Sequence, residues 1–315
     1  MSGVSEIYPN DGVTIREVGL RDGLQLVKSW PDTQQKMEWI IAESKAGIQH
    51  YELGSFLPAK NFSQFSHVND LIEIVNGLDV AHSSALTLNE HGAIDALLTS
   101  VNELVCVVSA TEAHSQANMR RSRKQAIDLL ARIAKMRDDT APDKLVNAGI
   151  AMAFGCSISR RVKPVEVIRL AEACLEAGAD IVGVADTVGY AAPAQVQEMV
   201  FEIRKLAKEF LLIIHLHDMR GMAIANASAA LDSGANVIDG SLGGLGGCPF
   251  VPGATGNVVT EDLVYLCERM GFETGIDLEA LLLVREMAEA AMPKENFHGA
   301  LYRARAPKNM NWRAA

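Results

Sequence analysis

Two imidazoles lie two residues apart in His215-Leu216-His217, at the end of an apolar run. Along a strand, residues i and i+2 share a face, so both rings point the same way. Side-by-side imidazoles make a natural pair of metal ligands, although two ordinary hydrogen-bonded histidines would read the same. Two further residues complete a possible ligand set. Asp22 follows the apolar stretch that ends near Gly19, and Asn257, expected to begin a helix, follows a glycine-rich loop. Oxygen and nitrogen donors without a thiolate suit Mg2+ or Mn2+ better than structural zinc, and leave coordination positions for substrate.

Other polar residues stand where a packed core would not choose them. Arg21, next to Asp22, offers a cation where negative charge develops on a substrate oxygen; a surface salt bridge is the plainer alternative. Glu52 sits in the apolar run Tyr51-Glu52-Leu53-Gly54-Ser55-Phe56. A lone buried carboxylate is costly, so Glu52 is expected to orient a ligand or pair with an arginine. Asp186, in Val184-Ala185-Asp186-Thr187, either hydrogen-bonds a metal-bound imidazole or caps the next turn. The segment 240–257 holds seven glycines in 18 residues, with Cys248 in its middle. Such a loop lets backbone approach a ligand and permits motion, and its thiol could give or take a proton. The lysine-serine pair of a Walker phosphate loop is absent.

These residues need a frame that presents strand ends together. Eight apolar runs read as strands: Val13–Gly19, His50–Phe56, Val80–Leu86, Glu103–Ser109, Val146–Phe154, Asp180–Ala185, Leu211–Leu216 and Asn236–Ser241. Stretches long enough for helices separate them. Asp32-Thr33 and Lys163-Pro164 mark helix starts, and Gly47, Gly178 and Gly234 mark helix ends. The expected architecture is a (β/α)8 TIM barrel, with functional residues at the C-terminal ends of its strands. Extra C-terminal helices are expected over 255–270 and 277–291. Spacing alone also admits a doubly wound open sheet. The whole chain, 1–315, reads as a single catalytic domain, with 293–315 a basic C-terminal tail or a strap.

Composition narrows the function. A net charge of −10 argues against nucleic-acid binding, which needs a clustered basic surface. No apolar run reaches membrane-spanning length, and residues 1–10 lack a secretory pattern. Five cysteines without a CxxC pair give no disulfide or zinc framework, as expected of a cytoplasmic chain. Two basic clusters, Arg120, Arg121, Arg123 and Lys124, and Arg160, Arg161 and Lys163, follow the fourth and fifth strands; they are solvated helix starts or contacts for an anionic ligand.

Taken together, Glu17-Val18-Gly19-x-Arg21-Asp22-Gly23-Leu24-Gln25, Glu52 with Ser55-Phe56, Asp186-Thr187, His215-x-His217, Gly244-Leu-Gly-Gly-Cys248-Pro-Phe and Gly253-Ala-Thr-Gly-Asn257 resemble the 3-hydroxy-3-methylglutaryl-CoA lyase family, nearly end to end. The resemblance implies a divalent-metal carbon–carbon lyase acting on an acyl-CoA and assembled as a dimer or larger homo-oligomer. It matches Asp22, His215, His217 and Asn257 to metal ligands, Arg21 and Cys248 to catalytic residues, and Glu52 and Asp186 to supporting acids. Gln25, Ser55, Thr187 and Arg160 are the candidate substrate contacts. The chain departs from the family pattern at Leu20, Leu26-Val27 and Cys156-Ser157-Ile158-Ser159-Arg160, where the family has proline, Asn-Glu and Cys-Pro-Tyr-Glu-Gly. Those positions place the acyl group in question, with citramalyl-CoA or a longer-branched hydroxyglutaryl-CoA as candidates.

Overall fold

A computed structural model describes residues 2–8, 12–58, 60, 62–206, 210–246 and 255–307. Eight parallel strands close on themselves in sequence order. They are β1 (Thr14–Glu17), β2 (His50–Ser55), β3 (His82–Leu86), β4 (Glu103–Ser109), β5 (Leu145–Ala151), β6 (Ile181–Asp186), β7 (Leu211–Leu216) and β8 (Val237–Gly240). Closure is made by β1 against β8, with Arg16 opposite Asp239 and Glu17 opposite Gly240. The expected TIM barrel is therefore the fold, and the open sheet is excluded.

Local chemistry sets the element boundaries. Asp32 accepts from the Gln35 amide while the Gln35 side chain returns to Asp32, a reciprocal cap that starts the helix Thr33–Lys45. Pro164 opens Pro164–Glu176, where its missing N–H costs nothing. Gly47, just past the first of these helices, has φ 101°, and a Cβ there would come 2.3 Å from the Gly275 carbonyl oxygen. Only glycine meets both demands.

Several expected boundaries shift. The third strand begins at His82, not Val80: Val80 is exposed with φ 52° and turns the chain into the strand. The fifth ends at Ala151, not Phe154, because the chain turns at Met152, φ 61°. The helix expected from Thr255 begins at Thr260. Asn257 instead bridges His217, and the Val258 amide donates to the Leu216 carbonyl, so backbone pairing with β7 holds these residues extended. Within the basic C-terminal stretch, Ala300–Ala304 is helical and Leu301 is buried; the His298 amide donates to the Gly243 carbonyl at 2.7 Å. Residues 293–307 thus form a strap held beside the turn that follows β8.

Helices pack their apolar faces on the outside of the barrel, burying Trp39, Ile40, Ile72, Leu130 and Ile133. No described helix is long and apolar enough to cross a membrane.

Candidate active site

The chain leaves β1 through a single π-helical turn, Gly19–Gly23, that carries Arg21 and Asp22. Such single turns are rare and occur frequently at functional sites. Glu17 fixes this one: it accepts from the amides of Gly19 (2.8 Å) and Leu242 (3.0 Å) and from the Thr260 hydroxyl (2.6 Å). It thereby ties the exit of β1 to that of β8. Burial pushes the Glu17 carboxyl up to about 8, against the opposing effect of those three hydrogen bonds.

At the same face, the end of β7 presents both imidazoles, His215 within the strand and His217 just past it. His215 Nε2 lies 3.1 Å from His217 Nε2, which lies 3.3 Å from Asp22 Oδ2. His215 Nε2 and Asp22 Oδ2 are 3.9 Å apart. These spans suit one shared cation: ligands about 2.1 Å from an octahedral ion are about 3.0 Å apart along an edge. Asn257 Nδ2 donates to Asp22 Oδ2 at 2.9 Å, and its Oδ1 is buried without a donor. The same Nδ2 also donates to the Leu245 carbonyl at 2.9 Å, which fixes the amide and leaves its oxygen as an unmatched acceptor close to Asp22, so the oxygen and nitrogen donor set fits a hard divalent ion. The four residues expected as a ligand set, Asp22, His215, His217 and Asn257, do come together.

The charges around them are arranged by burial and pairing. Burial alone would raise the Asp22 carboxyl, but the Arg21 guanidinium and His217 hold it well below the usual range. Arg21 is squeezed between two carboxylates, Asp22 at 2.5 Å and Glu52 at 2.7 Å. Burial opposes its charge, yet Glu52 and Asp22 hold its pKa above the ordinary value. Arg21 Nε is buried with no acceptor, a donor left over for a ligand. Glu52 thus pairs with an arginine, one of its two expected roles.

Asp186 takes the other of its two expected roles. It does not reach a histidine; its oxygens accept from the Tyr190 and Ala191 amides at 2.8 and 3.0 Å, closing the turn after β6. The carboxylate that meets His215 is Asp239 on β8, 2.9 Å from Nδ1. It was missed as a site residue, although a lone acid inside Val237-Ile238-Asp239-Gly240 was the available signal. Arg16 holds it in turn, with Nε and Nη2 at 2.7 and 3.0 Å, and Arg16 Nη1 reaches Glu103 at 2.8 Å. Tyr8 donates to the far oxygen of Glu103 at 2.6 Å.

Arg16, Arg21, Asp22, Glu52, His215, His217 and Asp239 line a cavity of about 340 Å3 that also holds Gln25, Thr187, His114 and Asn118. Gln25 accepts from Arg21 at 3.2 Å, while the Thr187 hydroxyl accepts from the Met152 amide. Ser55 and Arg160 do not line this cavity. Ser55 turns its hydroxyl to the Leu86 carbonyl, and Arg160 is exposed in a tight turn paired with Cys156 through backbone. Cys248 and most of its loop lie outside the described residues. His114 was not singled out from sequence; its Nδ1 lies 2.8 Å from the Ser109 hydroxyl.

The HMGL-like family model matches residues 12–288. The chain is 37% identical over 290 residues to the hydroxymethylglutaryl-CoA lyase of Bacillus subtilis strain 168, covering 91% of this chain and 95% of that one. It is 32% identical to the (R)-citramalyl-CoA lyase of Chloroflexus aurantiacus, covering 90% and 92%. A solved HMG-CoA lyase of Acinetobacter baumannii, in complex with coenzyme A and 3-methylmalate, superposes with a TM-score of 0.87 at 33% identity, covering 96% and 98%.

Proposed function

The chain belongs to the HMGL-like family and is a carbon–carbon lyase, and from that premise we propose that it cleaves 3-hydroxy-3-methylglutaryl-CoA, or a related 3-hydroxyacyl-CoA, at the C2–C3 bond. Hydroxymethylglutaryl-CoA would give acetyl-CoA and acetoacetate. The observation that carries this reading is the convergence of Asp22, His215 and His217 beside Arg21.

Asp22, His215, His217 and the Asn257 oxygen would hold the divalent ion, which when bound polarises the substrate oxygens and lowers the pKa of the 3-hydroxyl. Mg2+ or Mn2+ suits this donor set. A base takes the hydroxyl proton, C3 becomes a carbonyl, and the C2–C3 electron pair moves onto C2 as a thioester enolate. Arg21 Nε, buried without an acceptor, donates where that enolate oxygen turns negative. Glu52 and Asp22 fix the guanidinium in place, so no side-chain ordering is left for the transition state. Cys248 is the group we assign to protonate C2, which completes acetyl-CoA. We also assign the protein to the cytoplasm, as a homo-oligomer.

The test is a product assay. Protein stripped with chelator and restored with Mg2+ or Mn2+ is offered hydroxymethylglutaryl-CoA, and acetyl-CoA is followed by mass spectrometry. Metal-dependent release is expected. No release of acetyl-CoA from any 3-hydroxyacyl thioester, with metal bound, would overturn the reading.

A further inference from the structure

Inward positions of a TIM barrel are ordinarily filled by bulky branched side chains. Here β3 and β4 keep to that pattern with Leu86, Val105 and Val107, but β5 and β6 line the cavity with Gly149, Ala151, Gly183 and Ala185. Gly149 and Gly183 sit opposite each other in the strand register. Neither has a positive φ. A Cβ at Gly149 would meet nothing nearer than the Cys106 carbonyl oxygen at 3.6 Å, and one at Gly183 nothing nearer than Gly149 Cα at 3.5 Å. Neither backbone conformation nor packing therefore demands glycine. Glycine in a strand interior also weakens the strand, and it marks a place where another group comes close.

The foot of this slot is polar. The Gly183 Cβ position lies 3.6 Å from Asn147 Oδ1. Asn147 is 1% exposed and lines the cavity. Its Nδ2 donates to Glu103 at 2.7 Å, which orients the amide, and its Oδ1 is left with no donor. The nearby Arg16 guanidinium is occupied by Glu103 and Asp239. The slot thus offers small apolar walls and, at its end, one unmatched acceptor.

We propose that this slot receives a substituent on C3 of the substrate that is longer than methyl, an aliphatic stem ending in a hydrogen-bond donor such as a hydroxyl. The inference rests on the lyase reading and names its substrate class: 3-hydroxy-3-alkylglutaryl-CoA thioesters with a hydroxyl-tipped branch. The bond change is unaltered. C2–C3 breaks, C2 leaves as acetyl-CoA after protonation, and the branch stays on the 3-oxo acid.

The test compares three thioesters, with methyl, pentyl or 4-hydroxybutyl on C3 of 3-hydroxyglutaryl-CoA. The hydroxybutyl thioester is expected to exceed the methyl one in kcat/KM by about tenfold or more, with pentyl between them. In Gly149→Leu and Gly183→Leu the ratio of branched to methyl kcat/KM should fall to one or below. Gly149→Ala and Gly183→Ala, whose Cβ fits without displacing a neighbour, should lower the ratio partway and serve if leucine prevents folding. A methyl thioester cleaved as well as the branched ones, or a ratio unmoved by the substitutions, would overturn the slot. Pentyl matching hydroxybutyl would overturn the donor at the tip. No cleavage of any of the three with metal present would instead overturn the lyase reading.

Discussion

Asp239 Oδ2 lies 2.9 Å from His215 Nδ1, while the same carboxylate is gripped from the other side by the Arg16 guanidinium. The contact sets which imidazole nitrogen is free. With Nδ1–H given to Asp239, the Nε2 lone pair faces Asp22 and His217. Burial works to raise the Asp239 carboxyl, but Arg16 and His215 hold it down at about 2, so it accepts at every working pH.

From this contact it follows that Asp239→Asn weakens divalent-ion binding. Loss of a carboxylate behind a ligating imidazole typically costs 10–100-fold in metal affinity. Calorimetric titration of the metal-free variant with Mn2+ should show a loss of about that size. An unchanged affinity would mean that His215 needs no such support.

Arg21→Met should lower kcat by about 100–1,000-fold, the usual cost of removing one donor to a developing oxyanion. Arg21 is no ligand in this account, so Mn2+ affinity should change far less than kcat. Steady-state kinetics beside a metal titration separates the two. A rise in KM with kcat intact would show that Arg21 only holds substrate.

Arg16→Met should destabilise the fold by about 3–5 kcal/mol, because Glu103 and Asp239 would be left buried without their cation. Urea unfolding at pH 7 measures it. A change under about 1 kcal/mol would place water, rather than Arg16, as their effective partner.

Glu17 gives a pH prediction of definite sign. Its folded pKa, about 8, lies above the ordinary carboxyl value. Its stabilisation is therefore complete below about pH 4.5 and is lost as pH rises through 8, since the native state holds a proton that the unfolded chain has released. Glu17→Gln removes that penalty, and the Thr260 hydroxyl can turn to accept from the new amide. The stability of Glu17→Gln relative to the parent should rise between pH 5 and 8. A difference flat with pH would show that Glu17 is ionised throughout.

The fold and the heart of the site were legible because both follow from local pattern. Strand ends are where polar residues stand out against apolar runs, and His215 and His217 share a face by strand period alone. Long-range partners were less visible. Arg16 reaches Glu103, 87 residues away, and Asp239, 223 away, through barrel closure. The turn after β6 gave two amides to Asp186 and removed it from the histidines. Pairing with β7 kept Asn257 extended, so the helix expected from Thr255 begins only at Thr260. Gly149 and Gly183 are plain apolar-run residues in sequence, and only the register sets them side by side.

The central claim is that Asp22, His215, His217 and Asn257 hold the ion on which cleavage depends. The most direct measurement titrates metal-free enzyme with Mn2+ while following spin-resonance occupancy and acetyl-CoA release in the same samples. The account predicts one ion per chain, nitrogen couplings from two imidazoles, one of them lost in His217→Ala, and release that rises in step with occupancy. Full release without metal, or Mn2+ bound with no imidazole coupling, would contradict it.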